Sequence, residues 1–349
     1  MKQLSNVTKG KVKTGKICFQ LKRFAILISM ASFLVCNAMF KAHAQNSRAY
    51  ITNFGDSTIS VIDVDNLSKI TDIVTGKNPH GVDVSRNGKW IAVSNEGDNT
   101  VTIIEAASNK IITKVHVGSH PHQLAFSIDS KMLFVTENAD DALGIINSSS
   151  WKLDTTINVG RNPHIVLPGH NGKLAYITLE GDEKLVVLDL TTLKITGEIP
   201  VFGWPRIPSL SPDDKTIYLS MRWLNGALII PTEFKKATNW LQLPETNVFP
   251  VDGKASHGIK VSANGKHLFI TSQVRNSLSI INTETNKPEK EIVVGSDPNW
   301  IDLTGDEKFG VVSNTGSNNV SIIDLQKYEV IKTIQVGNAP KRLKVAKFQ

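Results

Sequence analysis

One interval constrains this sequence more than any other feature. Pro79, Pro121, Pro163 and Pro205 follow each other at steps of 42 residues; after one step of 51 comes Ser256, and Pro298 and Pro340 then resume the spacing of 42. Self-similarity at this period signals a repeat architecture, in which no unit buries its apolar face alone. Behind each anchor lies the same grammar. A short strand such as "GVDVS" is followed by a turn such as "RNGK" or "PDDK", then by a second strand such as "WIAVSN" or "LFITSQ". A polar turn ("GDNT", "GSNN") leads to a third strand ("VTIIEA", "LVVLDL") and then a fourth ("IITKVHV", "VIKTIQVG"). Asn-Gly and Asp-Asn pairs between β-branched runs are hairpin signals. No stretch beyond the leader carries a convincing helical period.

Four short antiparallel strands per unit predict an all-β chain: a seven-bladed β-propeller, one four-stranded sheet per blade. The ends support the count. The segment from Ala49, "AYITNFGDSTISVIDVDNLSKITDIVTG", holds strands two to four and lacks a first; "PKRLKVAKF" is a first strand with nothing after it. Paired, they complete the seventh blade and remove the open sheet edges. Residues 45–349 are thus expected to form one propeller domain.

Residues 1–44 read as a signal peptide. A Lys-rich stretch ends at "LKR", the apolar run "FAILISMASFLVCNAMF" follows, and Ala42 and Ala44 form an A-x-A pattern that predicts cleavage after Ala44. Export to the periplasm or medium is the expectation, with no membrane span in the mature chain. The leader also explains the charge. The formal +7 falls to −1 once its eight basic residues are removed, so no nucleic-acid partner is expected. Both cysteines, Cys18 and Cys36, lie in the leader, which excludes disulfides and thiolate chemistry from the mature chain.

Units such as "AYITNFGDSTISVID" and "LFITSQVRNSLSIINTETNKPEKEIVVGSDP" resemble the YVTN-type β-propeller family of exported proteins over the whole mature chain. The resemblance implies the propeller fold. It leaves function open, because relatives include surface-layer proteins, periplasmic binding proteins and haem-holding nitrite reductase-like propellers.

The candidate site comes from the position after each anchor. In a propeller the first strand of each blade lines the central channel, so these residues gather at one mouth. They are His80, His122, His164, Arg206, His257, Asn299 and Lys341: all polar, and six of them His, Arg or Lys. Repeat inheritance accounts for copied histidines but not for a charge kept at Arg206 and Lys341. The same face takes the turns between second and third strands, with Glu96, Glu137, Glu180, Arg222 and Arg275; Arg222 stands out because "SMRWLNG" abandons the usual turn. Trp204, Trp223 and Trp300 adjoin the ring in sequence, and Trp204 is expected to pack between blades. His116, His120, His170 and His267 are scattered and read as structural.

Neutral imidazoles suit copper, zinc or haem iron, and cationic side chains suit carboxylates or phosphates. The leading expectation is a binding protein whose mouth holds a small anionic ligand, a haem-type cofactor, or a metal such as copper on His80, His122, His164 and His257. No Cys-x-x-Cys-His haem attachment motif exists. The alternatives are a lactonase-type hydrolase, against which stands the lack of a Gly-x-Ser-x-Gly motif, and a scaffold for an envelope protein. The long step of 51 residues falls at 233–256, where a longer loop is expected on the histidine face.

Overall fold

The computed structural model describes residues 47–233, 236–244 and 255–348. Among them, 28 strands form seven four-stranded antiparallel sheets. The channel-lining strands are β4 (Pro79–Val84), β8 (Pro121–Phe126), β12 (Pro163–Pro168), β16 (Pro205–Leu210), β20 (Ser256–Val261), β24 (Pro298–Leu303) and β28 (Pro340–Lys347). Each begins on its anchor residue. The chain thus meets the channel at the point the repeat predicts.

The ring closes as expected. β28 pairs with β1 (Ser47–Asn53), β1 with β2 (Thr58–Asp63), and β2 with β3 (Ser68–Val74), giving one sheet from two distant segments. Strand β19 (Asn239–Gln242) is the short fourth strand of the blade with the long step. Residues 245–254, the core of the expected loop, lie outside the described residues, as do the leader and its cleavage point.

Apolar alternation explains the packing. Val82, Val93 and Ile104 of one blade bury against Tyr50, Ile59 and Val61 of the one before it, and six similar clusters complete the described core. Outer strands such as β3 face solvent and are polar on most positions. The core is therefore between blades, and the channel end is left to polar groups. One turn device recurs at the channel. Asn78, His120, Asn162, Trp204, Asp297 and Ala339, each just before an anchor, take φ between 50° and 62°. Asn and Asp tolerate this left-handed turn; it swings the chain inward so that the residue after the anchor points to the axis.

A buried cationic mouth ringed by neutral histidines

The seven ring residues do gather at one mouth. His80, His122, His164, Arg206, His257, Asn299 and Lys341 line a cavity of about 220 Å³ together with Phe54, Glu96 and Arg342. The rings of His80 and His122 lie 3.8 Å apart between centroids, and those of His122 and His164 lie 4.4 Å apart. His80, His164 and His257 are buried.

Hydroxyl groups from the neighbouring blades hold the ring in place. Ser94 Oγ accepts from the Gly81 N–H (2.8 Å) and donates to the His122 carbonyl (2.8 Å) of the next blade. Thr52 joins Arg342 to His80 in the same way, Thr136 joins Gln123 to His164, Thr178 joins Ile165 to Arg206, and Ser220 joins Ile207 to His257. Five blades are thereby pinned to their successors at the depth of the site.

The same carbonyls decide the histidine tautomers. Nδ1 of His80 faces the His122 carbonyl at 3.2 Å, Nδ1 of His164 faces the Arg206 carbonyl at 3.3 Å, and Nδ1 of His257 faces the Asn299 carbonyl at 2.8 Å. A carbonyl only accepts, so Nδ1 must carry the proton and donate. Each neutral ring then offers a lone pair at Nε2. Burial, with the neighbouring cations, holds all four histidines well below the usual imidazole range, so they stay neutral.

Two of the four lone pairs are already taken. Arg342 Nη2 donates to His164 Nε2 (3.2 Å), and Arg206 Nη1 donates to His257 Nε2 (3.4 Å). Arg342 is the largest fully buried side chain, 1 % exposed. Its other contacts are a hydrogen bond to Asn299 Oδ1 (3.1 Å), an approach to His257 Nδ1 (3.4 Å) and the face of Trp300 (4.5 Å). Its Nε has no partner, and no carboxylate lies within salt-bridge distance of it among the described residues. Burial, reinforced by Arg206, pushes its pKa down to about 9. Lys341 rests over Phe54 (5.3 Å) and is likewise lowered by burial and by Arg342.

Two acids border the mouth. Glu180 lies 3.6 Å from Arg206 Nε and 3.8 Å from His164 Nε2, beyond good hydrogen bonds. Burial raises its pKa despite Arg206. Glu96 faces His120 Nδ1 at 3.5 Å and is raised by burial too. Glu96 also borders a second, outer cavity of about 540 Å³ with Phe54, Asn78 and His120.

The other named residues divide. Arg222 stacks on Trp204 (4.3 Å) and lies 5.7 Å from Trp223. Trp204 is 40 % exposed, so the expectation that it packs between blades is wrong: the left-handed turn at its own backbone turns its ring outward, where Arg222 covers it. Trp300 does pack between blades. Glu137 accepts from the Gly118 N–H (2.8 Å) and Arg275 bonds Glu291, so both serve the scaffold. His170 is tied to Asp214 (2.6 Å), a structural role as expected, whereas His120 reaches the site through Glu96.

Sequence reasoning missed Arg342. It lies two residues after its anchor, a position held in the other six units by Gly81, Gln123, Ile165, Ile207, Gly258 and Trp300. A charge where every other unit has a neutral residue was the available signal.

A family model described as "YNCE-like beta-propeller" matches residues 31–129. No curated protein matches the chain. Among solved structures, the chain is similar to hydrazine synthase of Kuenenia stuttgartiensis, at 18% identity over 79% of this chain and 91% of that one, with a TM-score of 0.72. It is similar to the periplasmic gluconolactonase PpgL of Pseudomonas aeruginosa, at 16% identity over 86% and 99%, TM-score 0.68. A third is the dihydro-heme d1 dehydrogenase NirN in complex with DHE, at 18% identity over 82% of this chain and 63% of that one, TM-score 0.62. The chain thus spans under two thirds of the NirN chain. At these identities the likeness is one of fold. No helix among the described residues is long and apolar enough to cross a membrane.

Proposed function

From the match of residues 31–129 to a YNCE-like beta-propeller and the seven-bladed fold, we propose that the chain is an exported binding protein that holds a small anion, a carboxylate or phosphate group, in its channel mouth. The observation that carries this reading is Arg342. A buried guanidinium is normally matched by a carboxylate, and this one meets two neutral histidines, an amide and an indole. With Arg206 and Lys341 it makes a desolvated cationic pocket in which a charge-assisted, two-point bond to an oxyanion is strong. The leader of residues 1–44 supports export, and the mature body would be the propeller of residues 45–349.

A haem-type macrocycle does not fit the cavity. Its 220 Å³ is below the roughly 300–1,000 Å³ usual for drug-sized ligands, and two candidate axial nitrogens are held by guanidinium groups. A lactonase reading would need a base beside the bound carbonyl; Glu180 is the available candidate, so turnover of lactones belongs in the same assay.

The test is titration calorimetry of the mature protein with acetate, phosphate and a small hydroxy acid, against a neutral polyol. Binding of at least one anion is expected, with affinity falling about tenfold or more in Arg206→Gln and Arg342→Met, as for loss of a charged hydrogen bond. Absence of heat with every anion, or equal binding in both variants, overturns the reading.

A further inference from the structure

We propose that His80, Glu96 and His122 bind one divalent transition-metal ion, of the Zn2+ or Cu2+ type, on the rim of the anion cavity. One ligand atom from each of the three lies within 4.8 Å of the others. The choice of histidines follows from their tautomers. His164 and His257 have given their Nε2 lone pairs to Arg342 and Arg206. His80 has Nε2 free while its Nδ1–H is fixed by the His122 carbonyl, the kind of outer hydrogen bond that orients metal-bound histidines. His122 Nδ1 is buried and makes no well-formed hydrogen bond, although the His164 backbone lies close enough to act on its pKa. The four-histidine set expected from the sequence thus divides: two rings serve guanidinium groups, and two stand with a carboxylate.

Two nitrogens and one oxygen with a position left open match zinc or copper rather than magnesium or calcium, which take oxygen ligands. In a tetrahedral site with bonds of about 2.0–2.2 Å, ligand atoms sit roughly 3.3–3.6 Å apart, so side-chain rotations of His122 and Glu96 must close the remaining gap. Lys341 and Arg342 oppose a bare dication here. An anion held by them and bound to the open metal position cancels that repulsion. This coupling rests on the anion reading above: metal and anion should each raise the affinity for the other by the same factor.

The experiment is Zn2+ titration by calorimetry and Co2+ titration by visible absorption, at neutral pH, with and without acetate. The expected result is one equivalent of Zn2+, bound about tenfold or more tightly with acetate present. Affinity should fall about 10–100-fold or further in His122→Ala and Glu96→Gln, and should be unchanged in His116→Gln, an exposed histidine. The intense visible bands of low-coordinate Co2+ should vanish in the same two variants, and circular dichroism confirms that they fold. Substoichiometric uptake with acetate present, or uptake indifferent to both variants, overturns the metal site. Acetate titrated into metal-free protein tests the anion reading separately. Zn2+ uptake sensitive to both variants but indifferent to acetate supports the metal site and overturns its coupling to the anion.

Discussion

A guanidinium that loses its water without gaining a carboxylate costs a folded chain on the order of several kcal/mol, and Arg342 is in that position. Its replacement by methionine, similar in length and uncharged, should leave stability unchanged or raise it while anion binding is lost. Denaturant melts of Arg342→Met read this directly. A clear fall in the midpoint would mean that the arginine is structural and that its histidine bonds hold the channel together. Glu180 gives a second residue-level prediction. Its carboxyl is raised by burial, and in its charged form it competes for Arg206. Affinity for sulfate, which keeps its charge, should rise as pH falls through that raised pKa. It should fall at the other end towards pH 9, as Arg342, lowered to about 9, loses its proton. A flat lower limb in wild type, or an unaltered one in Glu180→Gln, would remove Glu180 from the site.

At the scale of the element, what matters is the first turn of each inner strand. There the chain turns inward through a left-handed residue, places one side chain at the axis and, at His122, has its carbonyl clasped by the preceding blade's hydroxyl and imidazole. Such histidines bind no proton in the folded state, whereas in the unfolded chain they take one up below their usual pKa of 6.5. The unfolded state then holds more protons, so stability is complete above about pH 6.5 and is lost as pH falls below it, by up to about 1.4 kcal/mol per pH unit for each ring. Urea melts between pH 8 and 5 should show this slope, and His257→Asn, which keeps a donor for the Asn299 carbonyl, should lessen it. The seven ring positions were legible in the sequence because a fixed offset from a fixed anchor is a geometric statement. The hydroxyl clasps and the division of the histidines were not. They depend on which side chain of the adjacent blade a carbonyl meets, and the repeat records offsets within a unit, not contacts between units. Arg342 escaped for a related reason: its charge stands out against the other units, but that no acid pairs with it can be read only from the folded ring.

For the whole molecule, the 42-residue step, the blade count and the split seventh blade were all readable, since period and alternation dictate them. The outward turn of Trp204 was not, because a left-handed φ at a tryptophan contradicts local preference and is imposed by the ring. Closure by β28 predicts a sharp dependence on that strand. A chain ending before Pro340 should fail to give a compact monomer by size-exclusion chromatography, because β1 is left as an open edge. Adding a peptide of residues 340–349 in trans should restore it by strand addition. A stable truncated monomer would mean that the remaining six blades hold themselves.

β28 also brings Lys341 and Arg342, so the strand that finishes the architecture delivers two of the three cations of the mouth. Both cations follow the four histidines in the sequence, so they are the last ring residues to be synthesised. On the anion reading proposed above, capture would be withheld until that last strand has sealed the ring.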